Sequence, residues 1–152
     1  MSDVDPIPPE YPRLSPYLAV NNAHAAIGFY CDVLGAVERL RLSGRDGKIG
    51  HAELEFGGSV LMLADEFPEA GNQSPKTLGG TAVTLSLYVG DVDAVHARAL
   101  AAGAIELRPP ADQFYGDRTA GFEDPFGHRW FLASRTEDLS AEEMQRRAKA
   151  QH

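Results

Sequence analysis

The chain reads as an α+β protein: two tandem βαβββ modules forming an eight-stranded mixed sheet around a cleft, with a C-terminal helix added. An internal repeat carries this reading. Gly58-Ser-Val-Leu-Met-Leu-Ala-Asp is answered 69 residues later by Gly127-His-Arg-Trp-Phe-Leu-Ala-Ser. Val20 ahead of the first helical stretch is answered by Val89 at the same spacing, and Gly35 behind it by Gly103 at a spacing of 68. A supersecondary unit that cannot bury its own apolar face pairs with its copy. Two curved half-sheets paired in this way leave a cleft, which is where a ligand would seat.

The elements follow in order. Residues 1–12 are proline-rich and form an extended arm; the first module spans 13–67, a linker 68–80, the second module 81–135 and a helical tail 136–152. Leu14 to Val20 alternates as a strand does. Asn21 or Asn22 can cap the next helix through its side-chain oxygen. Ile27, Tyr30, Cys31 and Leu34 keep helical spacing, which places Cys31 on a buried stripe, and Gly35 closes the helix. Val37 to Leu42 is a second strand, and Arg45-Asp46-Gly47 turns it back as a hairpin. In His51-Ala-Glu-Leu-Glu-Phe56, alternation sends Ala52, Leu54 and Phe56 to the core and His51, Glu53 and Glu55 to the opposite face. Gly57-Gly58 then turns the chain into Val60 to Ala64. The second module repeats this order: a strand from Val83 to Val89, a helix capped by Asp91 and ending at Gly103, and a strand from Ala104 to Leu107. A long loop from Pro109 to Asp117 follows, then strands around Thr119–Glu123 and Arg129–Ala133. Ser140 and Glu143 form a capping box for a charged last helix, with Glu142–Arg146 and Glu143–Arg147 pairs at its surface.

Composition narrows the function. A net charge of −8 argues against nucleic acid, whose phosphates it would repel, and favours cationic over anionic ligands. One cysteine excludes an intrachain disulfide and fits a reducing compartment. The apolar runs fall far short of the roughly 20 residues of a membrane span, and the acidic start with Asp3, Asp5 and Glu10 is the opposite of a signal peptide. A cytoplasmic protein is expected. There is no serine nucleophile elbow, P-loop or paired-cysteine motif, and Gly44, Gly47 and Gly50 do not form a dinucleotide fingerprint.

Ala25-Ala-Ile-Gly-Phe-Tyr30 with Leu34-Gly35, and Gly121-Phe-Glu-Asp-Pro-Phe-Gly-His128, resemble the vicinal oxygen chelate, or glyoxalase/bleomycin-resistance, superfamily over about residues 13–135. Gly50-His-Ala-Glu-Leu54, Asp112-Gln-Phe-Tyr-Gly-Asp-Arg118 and Glu137-Asp-Leu-Ser-Ala-Glu-Glu-Met144 resemble its PhnB-like subgroup. The resemblance implies a homodimer whose clefts are completed across a two-fold interface. Metal-dependent members place one ligand on each of four strands, and here those positions fall on Ser15, Met62, Thr84 and Phe131. None supplies the carboxylate or imidazole that such metals require, so no metal and no cofactor is expected.

A metal-free cleft leaves Tyr17, Val60, Ala64, Ser86 and Tyr88 on the same face as Met62, Thr84 and Phe131, a lining suited to a small molecule. His51 and Glu53 are the candidates for chemistry, because a carboxylate two residues along a strand can orient an imidazole for acid–base work. They read equally as a solvated polar face. Phe114, Tyr115 and Arg118 lie on the long loop. They could gate the cleft, with Arg118 meeting an anionic group or Asp117, or Phe114 could simply clamp the loop to its module. His24 and His96 read as surface residues, and His128 as holding a structural hydrogen bond. Two functions fit: a small-molecule-binding protein, or a lyase, isomerase or dioxygenase-type enzyme using His51 and Glu53, with or without a divalent metal.

Overall fold

Asn22 starts the first helix as its pattern requires, its side chain accepting the Ala25 N–H at 3.1 Å. Around that helix the first half of the chain forms β1 (Tyr17–Val20), α1 (Ala23–Leu34), β2 (Val37–Ser43), β3 (Ile49–Phe56) and β4 (Ser59–Asp65). The computed structural model describes residues 3–151, and the chain divides between Gly79 and Gly80 into two units. The second contains β5 (Thr84–Tyr88), α3 (Val92–Ala101), β6 (Ile105–Asp112), β7 (Asp117–Glu123), β8 (Arg129–Arg135) and α4 (Ala141–Ala150). Between β4 and β5 the segment 68–80 holds a 3-10 turn, Pro68–Ala70, and a short helix α2, Pro75–Leu78.

The eight strands make two mixed sheets of identical design, β1-β4-β3-β2 and β5-β8-β7-β6. In each, the first and last strands of the module run parallel and the other pairs antiparallel. The helix of each unit covers one sheet face. Under α1 lie Ala52, Leu54 and Leu63, each fully buried, and each such leucine contributes roughly 1.5–3 kcal/mol by leaving water. The helix contributes Ala26, Ile27, Tyr30, Val33 and Leu34. Cys31 flanks this stripe half-buried, rather than within it: the buried face centres on the row through Tyr30, which leaves position 31 at its edge.

Positive φ favours glycine in several turns, and two of them show why. Gly57 has φ +62 and joins β3 to β4 in two residues. Gly116 has φ +91, and a methyl group there would meet the Glu137 carbonyl at 3.0 Å.

The long loop expected at Pro109–Asp117 is instead strand and tight turn. β6 continues through Pro109 and Pro110 to Asp112, with its register shifting between Arg108 and Ala111. β6 is an edge strand, and at an edge the missing proline donors cost the ladder nothing on the solvent side. Only residues 113–116 turn.

His96 is likewise not a surface residue. It is 2% exposed, its ring 6.2 Å from that of Phe122 and its Nε2 bonded to Glu106 on β6 at 2.9 Å. Helical phase turns it toward the sheet, where an edge-strand carboxylate reaches it. In α4, Ser140 caps the Glu143 N–H at 3.1 Å. Arg146 pairs with Glu143 rather than Glu142, and Glu143 also takes Arg147. These two guanidiniums hold the Glu143 carboxyl down to about 2. Arg147 additionally reaches Glu137 and the Phe114 carbonyl, tying the helix to the β6–β7 turn. Among the described residues no helix is long and apolar enough to cross a membrane.

Candidate functional site

Strand register assembles a polar cluster on the face of the first sheet turned away from α1. Tyr17 sits opposite Met62, and Met62 opposite Glu53, so the three side chains form a row across β1, β4 and β3. His51 shares that face because it lies two residues from Glu53. The Tyr17 hydroxyl is 2.9 Å from His51 Nδ1, and His51 Nε2 is 2.8 Å from Glu53 Oε2. With Glu53 ionised, His51 Nε2 carries the proton donated to it, and the Tyr17 hydroxyl lies within hydrogen-bond distance of both Nδ1 and the Gly50 carbonyl.

Glu53 is only 4% exposed, although alternation puts it opposite the helix-covered face. The N-terminal arm explains this. The Tyr11 hydroxyl donates to Glu53 Oε1 at 2.7 Å. The Arg39 guanidinium lies 4.6 Å from the centre of the Tyr11 ring, and its Nε is 3.7 Å from Glu53 Oε1. Burial by itself would raise the Glu53 carboxyl. Hydrogen bonds from His51 and Tyr11, with the charges of His51 and Arg39, outweigh it and hold the group below its ordinary value. The same contacts push the Tyr11 phenol up, chiefly through its bond to Glu53. Burial raises the Tyr17 phenol, and the Glu53 charge raises it further. Beside this cluster is a hollow of about 480 Å³ lined by Tyr11, Pro12, Ser15, Glu53 and Met62, among others. The Ser15 hydroxyl oxygen is buried there and has no hydrogen-bond partner among the described residues.

The remaining candidates lie in the second unit. Thr84, Ser86 and Tyr88 are exposed along β5, and Phe131 is half-buried opposite Ser86. Arg118 does not meet Asp117. Its Nε donates to Asp93 at 2.6 Å and its Nη1 to Asp112 at 3.2 Å, and these bonds push the guanidinium up. β7 places Arg118 opposite Asp112 and within reach of the first turn of α3, whereas adjacent Asp117 points to the other face. Phe114 and Tyr115 form the β6–β7 turn with their rings edge-on at 5.2 Å. Val60 and Ala64 are buried. His24 is bonded to Arg41 at 3.0 Å, and the His128 backbone N–H donates to Asp124 at 3.0 Å.

Tyr11, Arg39 and Ser15 are absent from the lining read off the sequence. An aromatic residue within a proline-rich arm is the only signal that could have pointed to Tyr11.

Of the four positions at which the resemblance would place metal ligands, Ser15 lies just ahead of β1 and Met62, Thr84 and Phe131 lie on β4, β5 and β8; two hydroxyls, a thioether and a phenyl ring are a donor set that does not fit a divalent cation. Among the described residues no group of three or more His, Cys, Asp or Glu could hold a metal ion.

A duplicated βαβββ unit with a polar row on the sheet face opposite its helix defines a class, and comparison with known proteins names it. The family model described as Glyoxalase/Bleomycin resistance protein/Dioxygenase superfamily matches residues 13–132. The chain belongs to this superfamily. An uncharacterized protein of Mycobacterium bovis is 45% identical over 137 residues, 88% of this chain and 90% of that protein. An uncharacterized protein of Mycobacterium tuberculosis is also 45% identical over 137 residues, 88% of this chain and 81% of that one. Among solved structures, TioX from Micromonospora sp. ML1 is 27% identical with a TM-score of 0.62, covering 80% of this chain and 97% of its own. The PhnB protein of Bacillus cereus, at 17% identity and a TM-score of 0.63 over 81% of this chain and 99% of its own, shares the fold.

Proposed function

We propose that this protein binds a small molecule without a metal, taking a cationic or amphipathic compound against the polar row of its first unit. The observation that carries the reading is Glu53, a buried carboxylate held ionised at the edge of a hollow of about 480 Å³ whose Ser15 hydroxyl has no partner among the described residues. A buried anion beside an apolar lining favours a ligand with a positive or donor end and an apolar body. The net charge of −8 draws such ligands from solution. A cytoplasmic homodimer belongs to the same reading, and sedimentation as a monomer at micromolar concentration would count against the dimer.

Native mass spectrometry of the purified protein against a metabolite panel tests this proposal. Cationic or amphipathic members should bind, and Glu53→Gln should weaken them. Binding indifferent to that change would defeat the proposal, as would stoichiometric nickel, zinc, iron or manganese retained through dialysis.

The Tyr17–His51–Glu53 chain supports a second reading, an acid–base enzyme in which Glu53 orients the His51 ring and Tyr17 presents a proton to the substrate. His51→Gln keeps a donor but removes titration. Turnover lost with affinity retained would favour the enzyme. Affinity lost, with no turnover in either form, would favour the binding protein.

A further inference from the structure

The second sheet carries its own row on the face away from α3. Ser86 lies opposite Phe131, Phe131 opposite Gly121, and Gly121 opposite Arg108. One step along, Thr84 lies opposite Arg129, and Arg129 opposite Glu123. Thr84, Leu107, Arg108, Gly121, Arg129 and Phe131 line a hollow of about 260 Å³. Its lining carries two arginines and no carboxylate, whereas the hollow of the first unit is lined by both Glu53 and Arg13. Arg129 is shared with Glu123, 3.9 Å away, whereas Arg108 has no carboxylate at ion-pair distance among the described residues. Gly121 makes the space. A methyl group there would lie 3.8 Å from the Arg108 Cβ and 3.6 Å from the Trp130 carbonyl, so the Arg108 stem rests on bare backbone and its guanidinium is left to meet a ligand.

We propose that this hollow is an anion-binding site for a small aromatic carboxylate. The guanidinium of Arg108 would take the carboxylate through paired N–H donors, with Thr84 donating a hydroxyl. Phe131 and Leu107 would flank the ring. A lysine would serve poorly, because a point charge does not reproduce the planar two-donor fork. The site is built wholly from residues of the second unit, and its test does not depend on the reading proposed for Glu53.

Calorimetric titration with 2-naphthoate tests the site, with 2-naphthalenemethanol as its neutral counterpart. Naphthoate should bind in the sub-millimolar range and the alcohol far more weakly. Arg108→Ala should weaken naphthoate by roughly tenfold or more, the scale of losing a charge-assisted bidentate contact. Arg108→Lys should recover only part of the affinity, and Glu53→Gln should leave naphthoate unchanged while weakening cationic ligands. Arg108 is exposed, so a melting temperature equal to the parent's shows that the variants are folded. Equal affinity for acid and alcohol would overturn the site. So would naphthoate binding by a folded Arg108→Ala protein within twofold of the parent, or no naphthoate binding at millimolar concentration.

Discussion

Leu40, Glu53, Met62 and Tyr17 in the first unit occupy the strand positions held by Arg108, Gly121, Phe131 and Ser86 in the second. The backbone ladders match strand for strand, yet the side chains on the outer row do not. One unit buries an ionised carboxylate among phenol, imidazole and guanidinium donors. The other puts glycine at that place and lays an arginine over it. Duplication preserved what the helix-covered face requires, namely Ala52, Leu54 and Leu63 in one unit and Ala120, Phe122 and Leu132 in the other, all fully buried. The opposite face differs at every position of this row, although Val60 and Ala64 in one unit and Thr119 and Ala133 in the other are buried on it too.

The β-hairpins that close the two units differ in the same sense, and the largest expected effect lies there. β3–β4 turns on two glycines, whereas β7–β8 turns around Asp124, 1% exposed. That carboxylate accepts from the N–H groups of Phe126 and His128 and from the Trp130 indole, at 2.9, 3.0 and 2.9 Å. Asp124→Ala orphans three buried donors and should cost about 3 kcal/mol or more, read by urea denaturation. A loss under about 1 kcal/mol would show that the second hairpin needs its carboxylate no more than the first does.

Glu53→Ala should cost roughly 1–2 kcal/mol, less than Asp124→Ala because Tyr11 and His51 can turn to water once released. The pH dependence has a definite sign. Glu53 is held below its ordinary value in the folded state, so its contribution is complete above the unfolded pKa and is lost as pH falls through the folded one. Between about pH 5 and about pH 3 the parent's melting temperature should fall more steeply than that of Glu53→Gln. Parallel curves would mean the carboxylate is not held ionised by its neighbours.

Ser140→Ala removes the cap of α4, a helix that follows only the second sheet, and should cost about 1 kcal/mol. Circular dichroism with thermal melting would detect it, and an unchanged melt would show that the Arg147 contacts alone hold the helix. The smallest effect is expected at the glycine that distinguishes the two rows. Gly121→Ala meets only ordinary van der Waals contacts and replaces the poorest strand former, so stability should stay within about 0.5 kcal/mol. A larger loss would mean that glycine is required by the backbone of β7 rather than by the hollow above it.

Much of the fold was legible from local signals. Asn22 and Asp91 cap, Gly35 and Gly103 stop, Asp46-Gly47 and Gly57-Gly58 turn, and each does so through contacts within a few residues of itself. The facing of His51 and Glu53 also followed from the two-residue period of a strand. Where local rules competed with position in the sheet, they misled. Pro109-Pro110 reads as a loop until β6 proves to be an edge, and His96 reads as exposed until Glu106 proves to be opposite it. The burial of Glu53 had no local signal at all. Its partners Tyr11 and Arg39 stand 42 and 14 residues away along the chain. Alternation can say which face a side chain takes, but only the folded arm determines whether that face meets water or the Tyr11 phenol.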